Sequence, residues 1–462
     1  MTKAIRVLVY ILLVSFVLCA CGEAVEELIP EYEFSVSDKP DLDGATMTIG
    51  WAGITGDTIF GFAPGTANAD TALERKKNIE DSMNCKINAI YNNDLLTVLE
   101  TGVMSGAQTL DLVKHESFYL VVDIRAGYLT GLSQYLDVYN YEKYGTPNML
   151  QSVMWKNDLY AVTPYAWPEL LYSSPGHVIT VNENFISRLG QTDPRDYVEN
   201  GEWTWDLFEE LLPVYTHEDN GNKVYAFKCH DAYFAMNMLL SNGVAVSEFK
   251  DGQVVCGAYT PEGIAALERA RSIMVDTCAD CFHPSQSAGD PSEFYSGECV
   301  MYCAWAYELT RDVNSIMFQM DNVALVPFPQ GPNATPGVYL SYHESLPNSI
   351  GIPFNAKDVA SSALILSAML EPFEDYPTKE SIIEYMTDQT FFDRRDTEVL
   401  ANLTRNTEYG FFREGARGVI QSATETNTPI STLLESNQKV YDQIVEDYMI
   451  PHYQARVAVY GE

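Results

Sequence analysis

The chain changes its hydrophobic period repeatedly, and each change marks an element. Residues 46–51 combine β-branched and apolar side chains and end in Gly50 and Trp51, the pattern of a short strand. Between Asp70 and Asn84 the apolar positions Leu73, Ile79 and Met83 recur at one- or two-turn spacing, which predicts a helix. A second strand at 86–91, a second helix at 95–106 and a third strand at 110–113 follow. An apolar helix at 118–128 and a closing segment at 132–136 complete the unit. Strand, helix, strand, helix, strand implies βαβ crossovers and a largely parallel sheet. Ligands of such sheets sit beyond the carboxyl ends of the strands. Here those ends carry Trp51 and Lys114-His115-Glu116.

The pattern resumes after a break. Residues 156–162 read as a turn and a strand, and Thr163-Pro164-Tyr165-Ala166-Trp167-Pro168 is an aromatic and proline segment suited to a hinge. A second α/β region starts at His177. Thr204 can cap a helix over 205–212, and Thr260 with Pro261 opens another that reaches about Val275. Asp251-Gly252 signals a hairpin turn between 248–250 and 253–256. Apolar strands follow at 300–305 and from 323. No tandem repeat or low-complexity tract interrupts the series.

The amino terminus is different in kind. Lys3 and Arg6 precede an apolar run, 7–18, which has the length of a signal-peptide core and is short for a membrane span. It ends in Leu18-Cys19-Ala20-Cys21-Gly22, which resembles a bacterial lipobox. Residues 1–20 are therefore expected to be a lipoprotein signal peptide, with Cys21 the lipidated first residue of the mature chain. The acidic stretch 21–40 reads as a tether. The mature protein is then expected to sit on the cell membrane, lipid-anchored and facing the exterior.

A chain of 462 residues exceeds what one core needs, so two or more lobes are expected. A net charge of −36 argues against nucleic acid and anionic polymers as partners. Cys278, Cys281, Cys299 and Cys303 have nearly zinc-ribbon spacing, but Cys299 and Cys303 sit in an apolar segment. If that segment is a strand, 299, 301 and 303 share one face. A zinc site and a disulfide within this set remain alternatives to the favoured reading, buried core thiols.

The order of these segments resembles that of the extracellular solute-binding proteins of family 1, the lipoprotein receptors of sugar-importing ABC transporters. The resemblance is carried by Leu73-Glu74-Arg75 with Ile79-Glu80, Ser105-Gly106 with Asp111-Leu112-Val113, and Leu159-Tyr160-Ala161-Val162. It continues in Glu202-Trp203-Thr204-Trp205-Asp206, in Phe294-Tyr295-Ser296-Gly297-Glu298 before Ala304-Trp305, and in Pro327-Phe328-Pro329 with Gly331-Pro332. The cysteines after Glu298 depart from the usual small or aliphatic residues. The resemblance implies an α/β, two-lobed, hinged fold of the periplasmic-binding-protein type II, with discontinuous lobes. Lobe one is placed at 41–163 plus 299–355, and lobe two at 164–298 plus 356–462. It also implies a monomer that captures a carbohydrate, works with ABC permease subunits and needs no cofactor.

Sugars offer apolar ring faces and a rim of hydroxyls, which suit aromatic side chains and polar groups respectively. The chain has 29 tyrosines and 6 tryptophans, several of them at segment ends. The candidate ligand-binding residues are Trp51, Glu116, Tyr165, Trp167, Trp305 and Tyr307. Lys114 and the loop Tyr342-His343-Glu344 are weaker candidates. Trp203 and Trp205 are read as packing residues, and His115, His177, His230, His283 and His343 as surface or core. No G-x-S-x-G elbow, H-E-x-x-H pair or phosphate loop occurs, so an enzyme is disfavoured and neither a catalytic residue nor a metal ligand is assigned. A glycan-binding or sensor lipoprotein without a transporter is the alternative, and a binder of peptides or polyamines a more distant one.

Overall fold

A computed structural model describes residues 40–52, 67–92, 94–138, 142–156, 158–164, 175–250, 253–285, 287–310, 315–391, 393–410, 420, 422–424, 428–450 and 452. Cys21, Tyr165 and Trp167 lie outside the described residues, as do the signal-peptide and tether segments. Elements are numbered in chain order among those discussed.

The first unit follows the sequence pattern closely. β1 (Ala45–Trp51), α1 (Ala67–Met83), β2 (Cys85–Tyr91), α2 (Leu95–Ser105), β3 (Leu112–His115) and α3 (Ser117–Ala126) alternate as expected. β2 and β3 flank β1, and both run parallel to it. The core side chains Ile49, Leu95 and Leu112 are fully buried. Gly106 and Gly127 end α2 and α3 in the left-handed region, at φ 72° and 79°, where a residue without Cβ is unstrained.

The second unit is a five-stranded mixed sheet. β4 (His177–Asn182), α4 (Trp205–Tyr215), β5 (His217–Asp219), β6 (Asn222–Lys228), α5 (Asp231–Ser241), α6 (Pro261–Arg271), β7 (Cys299–Trp305) and β8 (Val323–Val326) build it, in the strand order β8-β4-β7-β6-β5. Thr204 caps α4 by accepting the Leu207 N–H, and Thr260 caps α6 by accepting the Gly263 N–H. The α-helix beginning at Pro261 ends at Arg271 and continues as a π-turn, Ser272–Thr277. Trp203 and Trp205 are packing residues, their indole N–H groups donating to the Pro327 carbonyl and the Ser241 hydroxyl.

The rest of the chain crosses between the sheets. β9 (Ser341–His343) pairs with β11 (Thr407–Tyr409), while β10 (Ser349–Gly351) joins the edge of the first sheet antiparallel to β3. The helix α7 (Val359–Met369) packs on α1 of the first unit, and α8 (Arg394–Arg405) packs on β8 of the second sheet. The architecture is therefore α/β and two-lobed.

The boundaries expected from sequence need correction. Residues 299–355 do not all fall with lobe one, because β7 is hydrogen-bonded between β4 and β6, and β8 pairs with β4. Residues 356–462 do not all fall with lobe two, since α7 packs on α1 of the first unit. Every residue of β7 is buried. An all-apolar strand announces that both faces are covered but not which neighbours cover it. The cysteines at 85, 229, 256, 278, 281, 299 and 303 are buried free thiols. Met301 and Cys303 pack in the core of the second unit, and Cys299 in the other.

Candidate functional site

The candidate site forms where three strands of the second sheet reach one edge. β7 ends at Trp305, and its register with β4 sets Trp305 opposite His177. Because β4 runs antiparallel to β7, it is the start of β4 that lies beside the end of β7. The two ring centroids are 3.9 Å apart. β6 runs parallel to β7, so the chain leaving it arrives at the same edge. There His230 caps α5, its ring nitrogen accepting the Ala232 N–H at 3.2 Å, and the first turn of the helix presents Tyr233. The Tyr233 ring lies 4.2 Å from His177 and meets Trp305 edge-on at 5.2 Å. Tyr307 stacks nearly parallel to Trp305 at 6.0 Å, and His343 lies 5.0 Å from it.

Polar groups beneath the rings hold them in place. Glu308 accepts the Trp305 backbone N–H at 2.7 Å and the Tyr302 hydroxyl at 3.1 Å, so the strand end cannot swing freely. Burial pushes the Glu308 carboxyl up to about 7. Gly176, just before β4, touches the crossing strand β9 directly. A Cβ there would stand 2.0 Å from the Tyr342 carbonyl oxygen, so the approach requires glycine.

The crossing segment supplies the remaining wall. Together with His177, Tyr233, Met236 and Trp305, Tyr342 and Glu344 line a shallow pocket open to solvent. The segment is fastened to the first lobe at the amino end of α3, where Ser117 and Leu346 exchange hydrogen bonds. Ser345 there donates to the Glu116 carboxylate at 3.2 Å. The pocket thus offers aromatic faces for an apolar ring surface and a carboxylate to accept hydroxyl hydrogen bonds. Among the described residues, no group of three or more His, Cys, Asp and Glu side chains is placed to hold a metal ion.

The residues singled out in the sequence divide clearly. Trp305 lines the pocket and Tyr307 stacks on it. Glu116 is exposed and reaches the site only through Ser345. Trp51 is a correction: it is 1 % exposed, packed in the core of the first sheet, with the Lys114 ammonium 5.3 Å from its ring. It ends a strand, but the edge it occupies is roofed by its own lobe. His177, read as surface or core, is buried at 4 % exposed and also lines the pocket. Tyr233 and Met236 carried no sequence signal beyond lying one turn apart on an apolar helix. Nearby, His115 stacks on Tyr119 at 4.2 Å, and burial with the neighbouring Lys114 charge lowers its pKa to about 4.

No known family model matches the sequence, and a search of curated proteins finds no match. Solved structures do match the fold across most of the chain. The GacH receptor of Streptomyces glaucescens, solved unliganded and with acarbose, is 13 % identical, with 88 % of this chain and 99 % of that one covered at a TM-score of 0.58. A sugar transporter protein from Rhizobium etli, in an open conformation, is 15 % identical over 86 % of this chain and 99 % of its own, with a TM-score of 0.62. A cyclo/maltodextrin-binding protein complexed with maltotetraose is 12 % identical over 90 % and 100 % of the two chains, with a TM-score of 0.59. At this identity the likeness is one of fold, and the fold is that of two-lobed periplasmic binding proteins.

Proposed function

We propose that this chain is the solute-capturing receptor of an ABC importer, taking up a neutral mono- or oligosaccharide by closing its lobes around it. The observation that carries the reading is the aromatic pocket of Trp305, His177 and Tyr233 at the strand ends of the second sheet. Ring faces stack on the apolar faces of a sugar, and Glu344 accepts hydrogen bonds from its hydroxyls. The fold supports the reading, since proteins of the same architecture are described with acarbose and with maltotetraose bound. Binding without chemistry fits a site built from aromatic rings around one carboxylate. No helix among the described residues is long and apolar enough to cross a membrane. We place the protein at the outer face of the cell membrane, held through a lipid on Cys21 and docking as a monomer onto permease subunits.

The test is a carbohydrate panel read by thermal shift and tryptophan fluorescence on the purified mature chain. A saturable rise in melting temperature with a fluorescence change for one class of neutral saccharide is expected. A flat carbohydrate panel beside a clear response to peptides or polyamines would reject the sugar assignment.

A further inference from the structure

The strands that carry the pocket also carry two cysteines that the site does not use. β6 and β7 run parallel, with Tyr302 opposite Lys228. Cys229 is the residue just after β6, so the same register carried one step past the strand end brings it opposite Cys303. Register partners in a parallel pair point to the same side, and adjacent strands lie about 4.8 Å apart. A disulfide needs Cα atoms roughly 4.4–6.8 Å apart, a span that paired positions on adjacent strands meet. Cys229 and Cys303 are 2 % and 5 % exposed and lie in the same core. Burial, with Cys303 close by, raises the Cys229 thiol well above its ordinary value. The Cys229 thiol also donates to the His230 carbonyl at 3.4 Å.

We infer that Cys229 and Cys303, free thiols in this structure, are joined on oxidation by an intrachain disulfide that rivets β6 to β7 beneath the pocket. Cys229 immediately precedes His230, the cap of the helix that presents Tyr233. Cys303 lies two residues before Trp305. The bond would therefore fix the two strand ends that set the Tyr233–Trp305 contact. A low-molecular-weight disulfide, or the active-site disulfide of a thiol oxidoreductase, is the oxidant. One cysteine thiolate attacks the oxidant's disulfide, and one of the oxidant's sulfurs leaves as thiolate. The second cysteine thiolate then attacks the resulting mixed disulfide and expels the other. Two electrons pass to the oxidant, whose two thiolates take up the two protons the cysteines lose. The exchange belongs to folding, while the strand ends are still accessible. Once both sulfurs are buried, reduction of the bond becomes slow.

This pairing differs from any within Cys278, Cys281, Cys299 and Cys303, and it does not depend on what the pocket binds. To test it, the full chain is folded with glutathione disulfide, alkylated under denaturing, non-reducing conditions, digested and mapped by mass spectrometry. The expected result is a Cys229 peptide joined to a Cys303 peptide, separable only after reduction. In a Cys229→Ala variant Cys303 should become alkylated. The wild-type protein should also melt at lower temperature after reduction, and the variant should lose that difference. Alkylation of both cysteines in the wild-type protein, or a bond from either to a different cysteine, would overturn the inference.

Discussion

Two tryptophans at strand ends illustrate what a single position can and cannot disclose. Trp51 and Trp305 each close a β-strand, and each has an aliphatic or small neighbour before it. Only the second meets the pocket. Trp305→Ala removes the ring that stands against both His177 and Tyr233. Aromatic contacts contribute about 0.5–1.5 kcal/mol beyond the area they bury, and about 1.4 kcal/mol is a tenfold change in affinity. The variant should therefore bind the saccharide of the proposed function several-fold to about tenfold more weakly and, because Trp305 is only 8 % exposed, also lose stability. Trp51→Ala should cost stability alone. It leaves a cavity in the first core and costs about 3–5 kcal/mol of stability, with the affinity of the folded fraction unchanged. Titration calorimetry beside denaturant unfolding separates the two. Equal effects on binding would mean that Trp51 also serves the ligand.

Elements were legible where a period repeats and illegible where it does not. The boundaries of β1, α1, β2 and α2 lie within a few residues of those the spacing predicts, since each buries one stripe or one alternating face. The caps at Thr204 and Thr260 were visible because their chemistry is local. The place of β7 was not visible, because its partners come from residues 177–182 and 222–228, far off in sequence. His177 escaped for the same reason: the rule that ligands gather at carboxyl ends overlooks an antiparallel strand that starts there. Long-range pairing also shapes the joint between the short helix at Pro194–Glu199 and α8. Arg195, 6 % exposed, is held by Glu183, by Asp193 at 2.7 Å, and by Asp393 and Asp396 at 3.2 Å. Asp396 is fully buried, accepts the Leu325 N–H, and is pushed up to about 7 by that burial. Removing the guanidinium strands this carboxylate, which costs about 3–5 kcal/mol for a buried pair. Arg195→Met should destabilise by that order in denaturant titrations at neutral pH. Adding Asp396→Asn should cost less in the Arg195→Met background than in the wild type. Strict additivity of the two substitutions would show that the charges are not coupled.

At the scale of the whole molecule, the pocket is incomplete as an enclosure. Its aromatic wall belongs to the second sheet, while Tyr342 and Glu344 stand on a crossing segment fastened to α3 of the first lobe. On the proposed function, a ligand held between these walls gains further contacts from the first lobe as the lobes close. Its binding free energy therefore shifts the population toward the closed arrangement, by no more than its differential affinity for the two arrangements. The consequence is measurable in solution scattering. With the saccharide selected by the carbohydrate panel, the radius of gyration should fall as sites fill and level off at saturation. Trp305→Ala, supplied with enough ligand to saturate its weaker site, should close less completely, because part of the contact favouring closure is gone. A saturated wild-type protein whose scattering is unchanged would separate the two halves of the reading. The saccharide would then bind to the wall of the second lobe alone, and whatever a permease recognises would have to be a feature the open form already presents.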